Sequence, residues 1–207
     1  MSSTTILNYA KRLKAMAHLG LTYAHNEYET ERYHEIEKIS LEMMQLVTGQ
    51  PLEVLSDYFH NEKDYITPKV DVRAVIFNDK NEILMVKEKS DGRWSIPGGW
   101  ADIGYSPTEI AIKEALEETG FTVKPIKLLA VLDKRRHPHP AHLDYVYKIF
   151  NQCEITGGEP IAAFDILKVA FFSQNAIPEL SVDRIPRSPI DLMFEYLANP
   201  GKLAVVD

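Results

Sequence analysis

The period of the hydrophobic pattern changes once along this chain, and that change sets what it can fold into. Up to about residue 64 the apolar residues recur at helical spacing. Ile6, Leu13, Met16 and Leu19 form one run, and Tyr33, Ile36, Ile39, Met43, Leu46 and Val47 a second. Thr48-Gly49 ends the second run, and Pro51 suits the first turn of a third helix, PLEVLSDYF. After NEKDYITPK, with Pro68 marking a linker, the period shortens. Val70, Val72, Ala74 and Ile76 alternate with Asp71, Arg73, Val75 and Phe77, which predicts a strand. NDKNE is a turn and ILMVKEK a second strand, so the two make a hairpin. IKLLAVLD, LDYVYKIF and ILKVAFF are further strand candidates, with helical signals at 107–119 and 189–198. The expected class is α+β: a small all-helical domain over 1–66, then an interleaved α/β sandwich over 67–207.

Composition narrows the function classes. With 207 residues the chain can bury a core without cross-links, and its single cysteine, Cys153, has no partner for an internal disulfide. A reducing cytoplasm is the expected compartment. No secretory leader and no membrane-length apolar run is read, so no membrane association is expected. Lys and Arg total 23 against 30 Asp and Glu, a formal charge of −7, which argues against a DNA partner. An anionic substrate would then need a local cation cluster or metal ions held by carboxylates.

The segment from Gly98 to Phe121 carries such carboxylates. Ser106 is a good N-cap, Pro107 fits the first helical position, Glu109 completes a capping box, and Gly120 suits the left-handed residue past the helix end. A helix over 107–119 follows. On it Glu114, Glu117 and Glu118 stand at i, i+3 and i+4 and share one face. Ile112, Ala115, Leu116 and Thr119 are expected to cover the core side. Three like charges near a helix C-terminus repel each other and oppose its dipole. Such a group is ordinarily a solvated face. With a Gly-Gly turn upstream and fixed caps, it points instead to hard divalent cations, Mg²⁺ or Mn²⁺.

The same segment resembles the Nudix box. Gly99 matches the opening glycine, Glu114 the Glu that follows an Arg, Glu117 and Glu118 the Glu pair, Gly120 the closing glycine and Phe121 the final apolar position. Trp94-Ser95-Ile96-Pro97-Gly98 resembles the usual entry to the box. Two positions depart: Tyr105 stands where the family has Glu, and Lys113 where it has Arg. In the family these two make an ion pair; a Lys–Tyr contact is expected here. The resemblance covers roughly 67–200 and implies the Nudix α/β/α sandwich with a mixed sheet. Gly-Gly-Trp-Ala-Asp-Ile-Gly-Tyr, with Gly20-Leu21-Thr22-Tyr23-Ala24 and Glu31-Arg32-Tyr33, is similar to a Gram-positive bacterial Nudix group associated with CDP-choline and ADP-ribose hydrolysis.

The resemblance implies a Mg²⁺ enzyme, with Glu114, Glu117, Glu118 and the Gly99 carbonyl as metal ligands. Its expected reaction splits CDP-choline into CMP and phosphocholine. ADP-ribose, giving AMP and ribose 5-phosphate, is the alternative. A nucleoside triphosphate or RNA 5′-end enzyme and a non-catalytic ligand sensor are lesser rivals. Glu117, Glu114 or Asp165 is the expected catalytic carboxylate, with Asp102, Glu154 and Glu159 behind them. Substrate contacts are expected from Arg73, Lys87, Trp100, Arg136 and His139; Trp94, Lys89 and Arg93 are weaker. His137, His139 and His142 read as a basic or ordinary loop before a zinc site. The N-terminal helices are expected to support a homodimer.

Overall fold

Side-chain caps and apolar periodicity fix most elements of the computed structural model, which describes residues 2–59 and 66–207. The expected linker begins in residues 60–65, outside the described residues. The chain forms two compact units, residues 1–67 with 141–143, and 68–140 with 144–207.

The first unit contains α1 (Ser3–Thr22), α2 (Glu27–Thr48) and α3 (Leu52–Phe59). Ser2 and Asn26 cap the first two by accepting from Thr5 N and Glu29 N, and Gly49 ends α2 in the left-handed region. Leu7, Ala10, Met44 and Leu55 make its core, and Lys14 pairs with Glu37 at 2.9 Å. Gly20 lies against the Tyr33 ring; a Cβ there would fall 2.2 Å from it, so only glycine lets α1 approach α2 this closely. The buried face of α1 therefore includes the small residues Ala10 and Ala17. The expected stripe is shifted: Met16, Ile39 and Leu46 are exposed. Close helix packing selected the small face, and the larger apolar residues stayed outside.

The second unit holds two sheets. One has the order β4-β1-β6-β5-β8, the other β3-β2-β7. The strands are β1 (Lys69–Ile76), β2 (Ile83–Glu88), β3 (Trp94–Ser95), β4 (Gly98–Trp100), β5 (Phe121–Asp133), β6 (Val146–Gly158), β7 (Ile166–Phe172) and β8 (Val205–Val206). β1 runs parallel to β6 and antiparallel to β4, so the sheet is mixed. Residue parity then builds three layers. Val72, Ala74 and Ile76 pack with Ile110, Ala111 and Ala115 of α4 (Pro107–Thr119). Val75 and Phe150 pack on the other face with Ile190 and Met193 of α5 (Arg187–Ala198). No helix among the described residues is long and apolar enough to cross a membrane.

β1 is flanked on both sides and covered on both faces, so Asp71 to Ile76 are all buried. Asp71 and Arg73 are buried on the α5 side. Arg73 grips Asp71 with two nitrogens at 2.6 and 2.7 Å, and Lys148 reaches the same carboxylate at 2.7 Å. Burial works against the Asp71 charge, but Arg73 and Lys148 outweigh it and hold its pKa down to about 2. Asp71→Asn should cost about 3–5 kcal/mol in urea unfolding, because it strands the buried Arg73 guanidinium. A carboxyl pKa depressed by folding stabilises above the unfolded value. The wild-type advantage over Asp71→Asn should accordingly shrink as pH falls below 3.8 toward 2, with Arg73 and Lys148 unchanged in charge over that window.

Candidate active site

The site is built where α4 meets β4. The capping box is complete: Ser106 Oγ accepts from Glu109 N at 3.3 Å, and Glu109 Oε2 accepts from Ser106 N at 2.7 Å. Gly120, at φ 76°, ends the helix on the expected residue. The core side of α4 is rotated from expectation: Ile110 and Ala111 are buried with Ala115 and Thr119, while Leu116 is exposed. Anchoring by Ile110 and Ala111 turns Glu114 and Glu118 toward β4.

Two glycines receive those carboxylates. Gly98 N–H donates to Glu118 Oε2 at 2.9 Å. A Cβ on Gly99 would lie 3.1 Å from Glu114 Oε2, so that carboxylate rests on the bare strand. Gly98 has φ 143°, and a Cβ there would sit 2.0 Å from the Val72 carbonyl oxygen. Only glycine lets β4 pair with β1 while β4 supports α4.

The electrostatics of this corner are strained. Burial pushes the Glu118 carboxyl up to about 8, against the pull of Arg73 and the Gly98 N–H. Glu114 is raised too, chiefly by burial, with Glu117 adding to it and Lys113 opposing. Lys113 spreads its ammonium over Glu117 at 3.0 Å, Glu114 at 3.4 Å and Asp102 at 3.5 Å. Its partners are therefore carboxylates, where a contact with Tyr105 was expected. Hydrogen bonding to Glu117 is the main force holding its charge on, and its pKa lies above the usual lysine range.

The donor set suits a hard cation: all side-chain ligands are oxygen, and two of the three carboxylates are held partly dehydrated. Among the described residues, no three His, Cys, Asp or Glu side chains stand ready-made as a metal cage. Mg²⁺ does not require one, since it usually keeps several waters and takes one or two carboxylates plus substrate phosphates.

The other expected residues scatter around this corner. Arg73 is buried, bonded to Asp71, Ser95 Oγ and the Ile96 carbonyl, and its charge faces Glu118. Lys87 lies on β2 between Trp94 of β3 and Lys168 of β7. Trp100 is exposed with the Lys69 ammonium 5.8 Å from its ring centre, while Trp94 is core, edge-on to Phe172. Asp165 is exposed, and its carbonyl accepts from Lys89 N at 2.9 Å. Glu154 sits inside β6, 3.6 Å from Lys124, because that strand runs eight residues past its expected end to Gly158. Arg93 pairs with Glu179. Arg136 is exposed in a 3₁₀ turn (Lys134–Arg136). His137 and His139 have separate partners, Asp207 and the Val182 carbonyl.

Four groups escaped the sequence reading: Asp71, Glu88, Lys134 and Lys148. Glu88 is buried beside Arg184 at 3.1 Å, and burial raises its pKa despite that partner. Opposite charges two apart in an apolar strand, as in Val70-Asp71-Val72-Arg73, were the available signal for the first of them.

A family model described as a UDP-X-like, N-terminal oligomerisation domain matches residues 4–59, and a NUDIX domain model matches residues 67–191. The chain is similar to YjhB of Bacillus subtilis (strain 168), provisionally named an ADP-ribose pyrophosphatase. The two are 41% identical over 99% of this chain and 98% of that one. Among solved structures it is similar to a UDP-X diphosphatase, with 30% identity, all of both chains covered and a TM-score of 0.64. It is also similar to an ADP-ribose pyrophosphatase from Streptococcus suis 89-1591, with 34% identity over 68% of this chain and 100% of that one, TM-score 0.61.

Gly98→Ala should lower the thermal unfolding midpoint and remove activity together. The methyl group cannot be placed without separating β4 from β1. A variant with wild-type unfolding and turnover would show that this strand contact does not position the helix.

Proposed function

Because this chain belongs to the Nudix family, and is a Nudix pyrophosphohydrolase acting on nucleoside diphosphate-linked compounds, we propose that Glu114, Glu117, Glu118 and the Gly99 carbonyl are its metal ligands. The observation that carries this is the placement of Glu114 and Glu118 on the bare Gly98-Gly99 strand. A divalent cation bound there, Mg²⁺ with Mn²⁺ as the substitute, would neutralise phosphoryl oxygens and make water a stronger nucleophile. In the overall reaction water adds to one phosphorus and the bridging P–O bond breaks. A nucleoside monophosphate and the phosphorylated remainder leave.

The residues of the chain have separable roles in this proposal. Arg73, fixed by Asp71, stands opposite Glu118 and offsets its charge. Lys113 keeps Glu114 and Glu117 from repelling each other. Glu117 is the most exposed of the three glutamates, which suits it to accept the proton of the attacking water. Asp165, exposed ahead of β7, is the second candidate for that proton. Lys87, Trp100, Arg136 and His139 are proposed as substrate contacts.

Two substrates come first. ADP-ribose is supported by the names of YjhB and the Streptococcus suis enzyme. CDP-choline is the one first expected from the sequence, through the box variant and the helical region. The helical unit, 1–66, is proposed as a homodimerisation domain. The apolar residues it leaves exposed support that: Tyr9 and Met16 stand seven apart on α1, with Tyr23 just past its end, and Ile39 and Leu46 stand seven apart on α2. A reducing cytoplasm remains the proposed compartment, in keeping with Cys153 as a buried thiol.

Release of nucleoside monophosphate should be seen from ADP-ribose or CDP-choline in Mg²⁺ and should stop on chelation. Glu114, Glu117 and Glu118 changed together to Gln should lower turnover by about 100-fold or more. Glu117→Gln and Asp165→Asn, compared at saturating Mg²⁺, assign the base; near-normal rates in both remove both from the chemistry. Light scattering at assay concentration should return twice the chain mass, and a clean monomer overturns the dimer.

A further inference from the structure

One cluster near the site is left with unused hydrogen-bonding capacity. His139 lies between two prolines, Pro138 and Pro140, with its backbone N–H donating to the His137 carbonyl at 2.7 Å. Its ring Nδ1 is 2.8 Å from the Val182 carbonyl oxygen. A carbonyl only accepts, so Nδ1 carries the proton and Nε2 of the neutral ring presents a bare lone pair. That Nε2 is buried, with no hydrogen-bond partner among the described residues. Burial above all, with the charges of Lys134, Lys148 and His137, holds the ring pKa down to about 4, so the ring is neutral at physiological pH.

Lys134 is beside it. It opens the 3₁₀ turn after β5 and is half-buried. Among the described residues no hydrogen bond or ion pair holds its ammonium. Asp183, next to Val182, is the first of the opposing charges near it, and that carboxylate is exposed. An acceptor without a donor, a cation without a bond and an accessible carboxylate are thus neighbours. A buried acceptor costs free energy until a donor reaches it. Lys134, whose charge acts on this ring, has a long and unpinned side chain.

Sheet register says how far this place is from the carboxylates. Trp100, Asp71, Lys148 and Leu132 form one row across four strands; Gly99, Val72, Ile149 and Val131 form the adjacent row. Asp133 of β5 pairs with Tyr147, and Tyr147 with Val70, so Asp133 is three strands over and two residues along from Gly99, a backbone separation of about 16 Å from strand spacing. Lys134 follows Asp133 at the same sheet end. A diphosphate ester at the glycine strand carries a group on each side, and with the reach of the Lys134 side chain one of them can span that separation.

We propose that His139, Lys134 and Asp183 form a subsite for a sugar ring of the substrate. Ring hydroxyls donate to His139 Nε2 and the Asp183 carboxylate, and Lys134 donates to a ring or phosphate oxygen. Carboxylate recognition of sugar hydroxyls is a common device in nucleotide sites. A trimethylammonium head fits the same place badly, since it has no N–H or O–H for His139 and repels Lys134. The subsite rests on the pyrophosphohydrolase reading and deepens it: the sugar is either the nucleoside ribose or the terminal group.

The test uses the full chain with Mg²⁺ and measures kcat and KM on ADP-ribose and CDP-choline. The proteins compared are wild type, His139→Leu, His139→Gln and Lys134→Met. His139→Leu should raise KM about tenfold with kcat nearly unchanged, since one hydrogen bond of binding is lost. His139→Gln, which restores an acceptor oxygen, should recover most of that loss, and Lys134→Met should also raise KM. A loss confined to ADP-ribose assigns the terminal sugar, and a loss on both substrates assigns the nucleoside ribose. Lys134 is only half-buried, so Lys134→Met decides the matter if the histidine variants fail to fold. Unchanged KM in every folded variant of an active wild type overturns the subsite and leaves the hydrolase reading standing. A wild type that turns over no nucleoside diphosphate-linked compound overturns both.

Discussion

The closeness of β4 to β1 governs the catalytic unit. The Val72 carbonyl occupies the space where any side chain on residue 98 would begin. Glycine at 98 and 99 therefore does more than permit a turn. It lets a three-residue strand serve two neighbours, pairing with β1 by its backbone and receiving Glu118 and Glu114 from α4. The helix is in turn held by Ile110, Ala111 and Ala115 on the far face of the same sheet. The carboxylates are thus positioned by backbone and by core packing, which gives a more rigid placement than side chains on a loop would.

The second constraint is charge. Asp71, Arg73 and Lys148 meet in the layer between sheet and α5, where burial holds the Lys148 pKa down to about 7, and Arg73 also faces Glu118 and Glu88. The guanidinium in the core thereby stands against the carboxylates of the box. The two clusters offset each other through Arg73, whose guanidinium is already committed to Asp71, Ser95 and Ile96. A residue so fully bonded acts on the site mainly by its field.

The sequence revealed local features well and neighbour relations poorly, for a physical reason. The limits of α4 coincide with expectation because Ser106, Pro107, Glu109 and Gly120 act within one turn of themselves. The NUDIX domain match agrees with the family read from the same stretch. Which side of α4 packs inward was misjudged, since Leu116 is exposed and Ile110 is not. The alternation around Asp71 and Arg73 marked a strand but not that both residues are buried. Their strand is central only because β6 and β4, both distant along the chain, close on either edge. In the helical unit, Gly20 meets Tyr33 of α2 and Ala10 and Ala17 lie on the buried face of α1, whereas the large periodic residues Met16, Ile39 and Leu46 are exposed. The glutamates were legible by spacing; Lys134 and Lys148 were not, because nothing local distinguishes a buried lysine from a solvated one.

The ammonium of Lys113 lies among Glu114, Glu117 and Asp102. It makes the acidic helix its own counterion, so α4 can form and dock before any ion arrives. At the proposed metal site, folding and metal loading would then be separate events, unlike in small domains whose structure waits on the metal. An incoming cation would displace a tethered charge instead of filling a void. Part of its affinity would thereby be deferred to the phosphates that accompany it, which would favour loading in the company of a nucleotide.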